Sequence, residues 1–168
     1  ENIRLMTGIL LAGLRRPATL AKATATLDVL SQGRLDLGVG VGWQREEYEA
    51  NGIPHERRGD RLDQTLEICQ LLWREEIAAH SSAEVNFTKI HMQPKPVQPG
   101  GVPIWIGGSL HTAAMRRIVR FGSGWIPWGP DAADPAAGLA KIRSALDAAG
   151  RDSRGFEVTA YLPAVKND

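Results

Sequence analysis

The chain has 168 residues, enough for one domain with a sizeable core. Hydrophobic residues make up 43% and charged residues 23%, and 20 Lys and Arg against 19 Asp and Glu leave a formal net charge of +1. That near-neutral balance, with no basic run longer than two residues, leaves no footprint for nucleic acid or an anionic membrane surface.

A single cysteine, Cys69, excludes an intramolecular disulfide and suits a reducing, cytoplasmic compartment. No apolar stretch approaches the roughly 18 residues of a membrane span. Glu1-Asn2-Ile3-Arg4 runs straight into apolar sequence without a signal peptide. A start without Met, inside a strand-like segment, leads us to expect a truncated N-terminus.

The elements alternate strand and helix, the pattern of parallel β/α units. Ile3 to Leu10 reads as a buried strand, and Pro17 opens a helix whose apolar face is predicted at Leu20, Thr24, Leu27 and Leu30, with Gly33 as its stop. Arg34 to Val41 is the second strand. Asp60 is predicted to cap a helix with Leu62, Leu66, Cys69 and Trp73 inward. Cys69 is thereby a core residue and not a nucleophile. Residues 76–101 break the alternation as an insertion, with a short hairpin over Glu84 to Met92 and a loop carrying Pro94, Pro96 and Pro99. Val102 to Ile106 is the third strand, and Ser109 is the predicted cap of the next helix, whose inner residues are Ala114, Ile118 and Phe121. Gly124 to Pro127 is a short fourth strand. Asp134-Pro135 starts a helix bearing Leu139, Ile142, Leu146 and Ala149, and Phe156 to Leu162 is the fifth strand. A (β/α)8 TIM barrel needs eight strands and about 250 residues. The expectation is therefore one barrel domain over residues 1–168, present as a fragment of five strands, lacking N-terminal strands and its C-terminal end.

In such folds function sits at the C-terminal strand ends. Three of these ends are glycine-rich. In Thr7-Gly8-Ile9-Leu10-Leu11 the glycine marks either a kink or a close backbone approach. Gly38-Val39-Gly40-Val41-Gly42-Trp43 lacks the G-x-G-x-x-G spacing of a dinucleotide fingerprint, so tight packing is an equal reading. Gly107-Gly108-Ser109 leads into a helix start, whose free N–H groups suit a phosphate, although an ordinary capped helix explains it equally well. His55, His80, His91 and His111 show no metal-ligand spacing, so no metal is expected. Glu46-Glu47 reads as a solvated pair. Trp43 and Trp128, at strand ends, are candidates for the substrate side.

Three stretches carry a family resemblance. They are Pro17 through Gly42, with Ser31-Gln32-Gly33-Arg34 inside it; Glu56-Arg57-Arg58-Gly59-Asp60-Arg61-Leu62; and Pro94-Lys95-Pro96-Val97-Gln98-Pro99 followed by Pro103-Ile104-Trp105-Ile106-Gly107-Gly108. In that order they resemble the luciferase-like monooxygenases, including the deazaflavin-dependent branch. The resemblance implies an oxidoreductase with a flavin-like ring at the C-terminal end of the barrel. The family's non-prolyl cis peptide would fall at Gly8-Ile9, pressing on the ring. Leu11, the backbone of Val41 and Gly42, and a polar contact from Glu46 would lie near the cofactor, with Gly107, Gly108, Leu110 and His111 at its phosphate. The Gly-Trp strand end favours the deazaflavin coenzyme (factor 420), with hydride transfer, over FMN with monooxygenation of a small organic substrate. Where a sugar-phosphate dehydrogenase branch places an acid, this chain has Trp43, so that proton route is not expected. The resemblance further implies a homodimer, and the alternatives are a non-catalytic flavin-binding relative or an inactive truncated barrel.

Overall fold

The computed structural model describes residues 3–159. A five-stranded parallel sheet has the order β1-β2-β5-β6-β7: β1 Leu5–Met6, β2 Leu35–Val39, β5 Ile104–Gly108, β6 Gly124–Pro127 and β7 Glu157–Val158. The helices between them are α1 Pro17–Leu30, the short α2 Arg45–Glu49, α3 Arg58–Arg74, α4 Thr112–Phe121 and α5 Pro135–Ala148. A separate antiparallel hairpin, β3 Ala78–Ser81 with β4 Asn86–Ile90, interrupts the alternation. This is the curled sheet and helix layer of a barrel fragment. Because all five strands run the same way, their C-terminal ends lie together.

The first strand departs from the continuous run expected for Ile3 to Leu10. It pairs Leu5 with Leu35 and Met6 with Asp36, and then meets β2 again only at Leu10 with Val39. Four steps on one strand thus match three on the other, which is a bulge at Thr7 to Ile9. The bulge is pinned on both sides, since the Leu10 N–H donates to the Gly38 carbonyl at 2.8 Å and the Thr7 hydroxyl donates to the same carbonyl at 2.7 Å. The Gly8–Ile9 peptide is cis, as the resemblance implied.

Strand glycines make room for this bulge. A Cβ at Gly38 would overlap the Thr7 carbonyl oxygen, and one at Gly40 would overlap Ile9 Cδ1. One at Gly107 would come within 2.8 Å of Ile9 Cγ2. The glycine run of β2 is therefore packing against the neighbouring strand's bulge, not a nucleotide turn.

Other boundaries shift for local reasons. Helix α1 buries Leu20, Ala21, Thr24, Ala25 and Asp28, whereas Leu27 is 52% and Leu30 73% exposed. Small residues are needed where α1 lies close against α3: the Trp73 indole donates to the Ala21 carbonyl at 3.0 Å. Asp28, on the same face, accepts from the Val97 and Gln98 N–H groups and the Gln98 side chain, tying down the proline loop. Helix α3 begins before Asp60, because a 3-10 turn at His55–Arg57 feeds directly into it. It buries Leu62, Leu66, Cys69 and Trp73 as the periodicity predicted, and burial pushes the Cys69 thiol up to about 12. The hairpin starts at Ala78, earlier than Glu84. Strand β5 runs on through Gly108, so the cap of α4 moves from Ser109 to His111, whose Nδ1 accepts from the Ala114 N–H at 3.3 Å. Asp134 caps α5 through the Ala137 N–H; Ala149 lies exposed beyond its last turn. Of the fifth strand, Ala160 to Leu162 fall outside the described residues.

Gly38→Ala is expected to destabilise the fold by about 3 kcal/mol, the upper end for overpacking, because the obstacle is backbone. Gly155→Ala meets nothing within 4 Å and should be near neutral. Denaturant unfolding of the two variants checks the contrast.

Candidate active site

The strand ends enclose a cleft of about 450 Å³, within the range of small-molecule sites. Four successive strand ends contribute. Gly8, Ile9 and Leu11 come from the β1 bulge and Val41, Gly42 and Trp43 from the end of β2, with Gly107, Gly108 and Ser109 after β5 and Pro127 and Trp128 after β6. His111 lines it as well, as do Ile106, Ile126 and Leu62. Residues up to 120 positions apart in sequence, Gly8 and Trp128, thus share one hollow.

Backbone conformation opens this surface. Gly42 has φ +69° and Gly108 φ +136°, both in the region that only glycine enters freely. A Cβ at Gly8 or Gly108 would meet nothing within 4 Å, so the chain there faces open space. Buried side chains fix the carbonyls beside it. The Trp125 indole, packed on Gly138, donates to the Gly108 carbonyl at 2.8 Å. The Tyr48 hydroxyl, fully buried, donates to the Val41 carbonyl; burial pushes its phenol up from the ordinary value, which keeps the proton on the oxygen.

Two expected residues are not brought in. Glu46 stands exposed on α2 outside the lining, and its neighbour Glu47 faces the cleft instead. Adjacent helical residues point in different directions, which decides between them. Leu110 turns away to pack beside Gly138, and its N–H donates to the Asp131 carboxylate at 2.8 Å. That donor is committed within the chain. His111 stays at the cleft, but its Nδ1 is used as the helix cap, so in the neutral ring Nε2 carries the proton.

Arg117 is a lining residue that the sequence reading passed over. It is buried, its Nε donates to the Asp63 carboxylate, and its Nη2 donates to the Gly59 carbonyl at 3.1 Å. The signal was present: Ala114, Arg117, Ile118 and Phe121 follow helical spacing, so an arginine on that stripe required a buried partner.

Comparison with known proteins agrees with this architecture. The luciferase-like monooxygenase family matches residues 1–168. The chain belongs to that family. An uncharacterized protein of Mycobacterium tuberculosis is 40% identical over 154 residues, covering 90% of this chain and 53% of the relative. The phthiodiolone/phenolphthiodiolone dimycocerosates ketoreductase of Mycobacterium kansasii is 32% identical over 156 residues, covering 90% of this chain and 42% of its own. This luciferase-like chain thus spans about half the length of the curated relatives it matches. Among solved structures, monooxygenase RslO1 of Streptomyces bottropensis superposes with a TM-score of 0.78 at 28% identity, covering 92% of this chain and 48% of that one. An F420-dependent secondary alcohol dehydrogenase, at 20% identity and a TM-score of 0.77, shares the fold over 94% of this chain and 48% of its own. Family and neighbours are oxidoreductases and monooxygenases.

Removing one partner of the Arg117–Asp63 pair strands a buried charge. Asp63→Ala should cost about 3 kcal/mol, while the double variant Asp63→Leu with Arg117→Met should recover most of that loss. Thermal unfolding of the single and double variants measures the difference.

Proposed function

We propose that this chain supplies the cofactor cleft of a flavin-type oxidoreductase, with the deazaflavin coenzyme as the preferred cofactor and FMN as the second choice. The observation that carries this is the convergence of three glycine-opened backbone segments, at Gly8–Ile9, Val41–Gly42 and Gly107–Gly108, in one hollow. The residues present fit such a group. A flat ring suits the apolar wall of Ile9, Leu11, Ile106 and Ile126 between backbone segments that carry no obstructing side chain. A phosphate suits Gly108 and Ser109 beside the start of α4, where the first-turn N–H groups carry partial positive charge.

When bound, a deazaflavin supplies a hydride, and reduced FMN with dioxygen supplies an oxygen atom. The chain's own residues bind and orient. Ile9 and Leu11 exclude water from the reacting face, Trp125 and Tyr48 hold the carbonyls of Gly108 and Val41, and Trp43 and Trp128 border the side where substrate enters. Hydride transfer is favoured over oxygen chemistry for two reasons. The Gly42-Trp43 strand end resembles the deazaflavin branch, and one relative above 30% identity bears a ketoreductase name, a reduction that needs a hydride and a proton. Glu47 and His111 are the lining groups able to carry that proton.

Fluorescence titration of the full-length protein against the deazaflavin coenzyme, FMN, and their phosphate-free ribityl forms tests the assignment. One phosphorylated cofactor is expected to bind saturably. Ser109→Asp, which adds a negative charge at the phosphate end, should weaken it about tenfold or more and leave its phosphate-free form within about twofold. If the folded protein binds neither cofactor, the oxidoreductase assignment fails.

A further inference from the structure

The cleft is lopsided in chemistry. Its outer rim carries three large apolar side chains that are exposed in this chain: Trp43 is 81%, Trp128 65% and Ile9 40% exposed. Grouped exposure of this kind marks a binding surface more often than chance, and two indoles give it a large, rigid contact area. Each indole is also held at a backbone turn, Trp43 directly after Gly42 at φ +69° and Trp128 directly before Gly129 at φ +66°.

Charge in the same wall is sparse. Glu47 and Arg117 are the charged side chains among the described lining residues. Arg117 is neutralised by Asp63 and further bonded to the Gly59 carbonyl, so it offers no free cation to a ligand. Glu47 is exposed and would repel an anion. Among the described residues the anion-friendly element is the α4 start, which the proposed cofactor's phosphate would take.

We propose that the cleft takes an uncharged, predominantly apolar substrate, seated on the indoles of Trp43 and Trp128. This rests on the cofactor assignment, because that assignment places the phosphate at α4 and leaves the indole rim to the substrate. A sugar phosphate or a carboxylic acid would bring a charge that no side chain among the described rim residues answers. An aliphatic or aryl ketone, alcohol or ester would bring apolar area that the rim covers.

The test uses the full-length protein and three matched phenyl ketones: butyrophenone, benzoylpropionate and an analogue ending in a trimethylammonium group. Binding is followed by tryptophan fluorescence, and the response of the rim indoles is isolated by subtracting that of the Trp43→Phe and Trp128→Phe variants; within this chain Trp73, Trp105 and Trp125 are buried. Cofactor affinity is measured in parallel from cofactor fluorescence. Butyrophenone is expected to bind about tenfold or more tightly than either charged ketone, and Trp43→Ala and Trp128→Ala should each weaken it by about tenfold, with cofactor affinity within about twofold of wild type. Trp43→Phe and Trp128→Phe should restore much of the affinity, separating lost contact from a damaged fold. Tighter binding of the carboxylate or the ammonium ketone, or affinity indifferent to both tryptophans, overturns the substrate proposal. Loss of cofactor binding by the wild-type protein overturns the cofactor assignment instead, and the ketone series on the cofactor-free protein still decides the rim's preference.

Discussion

The site depends on the close approach of the Thr7–Ile9 bulge to the neighbouring strands. Three glycines, Gly38, Gly40 and Gly107, are hollowed out beneath it, and a single methyl group at any of them would meet the bulge. The bulge in turn sets Gly8 and Ile9 at the mouth of the hollow and leaves the β5 end able to run through Gly107 and Gly108. Without that approach the strand ends would carry ordinary side chains and the hollow would fill.

Behind this wall, polar groups are committed to fixed partners. Asp28 gathers three donors from the proline loop, Arg4 pairs with Asp36 through Nε–Oδ2 at 2.6 Å, and Arg117 joins α4 to α3 through Asp63. Each is a buried carboxylate or guanidinium whose partner lies far away in sequence. Such groups cost several kcal/mol when stranded, so they hold the helices and loops around the sheet in one arrangement. Among the described cleft residues Arg117 is committed in this way and Glu47 is the other charged side chain.

Strand and helix alternation was legible because apolar period and glycine or proline punctuation agree along most of the chain. The family resemblance added what periodicity cannot supply, the Gly8–Ile9 cis peptide. Where the reading slipped, tertiary contact had overruled local pattern. Leucines at 27 and 30 lie outward because α1 needs alanines against α3, and the cap of α4 moved to His111 because β5 is longer than its apolar run. Gly8 inside the first strand marked the place of the bulge, but its register, four steps against three, is a property of two strands together and is not written in either one alone. Glu47 rather than Glu46 faces the cleft because a five-residue helix, α2, follows Trp43, and a polar stretch of that length gives no period to read. Arg117 is legible in principle, since an arginine on the Ala114, Ile118 and Phe121 stripe requires a buried partner.

The most direct test is hydrogen–deuterium exchange of the full-length protein with and without the cofactor that binds. Simultaneous protection of the segments 7–11, 41–43 and 107–111, with the opposite end of the sheet around Pro99 to Pro103 unchanged, is the expected result. Protection confined to that opposite end, or absent from all three segments at saturating cofactor, would contradict a cofactor cleft built on the β1 bulge.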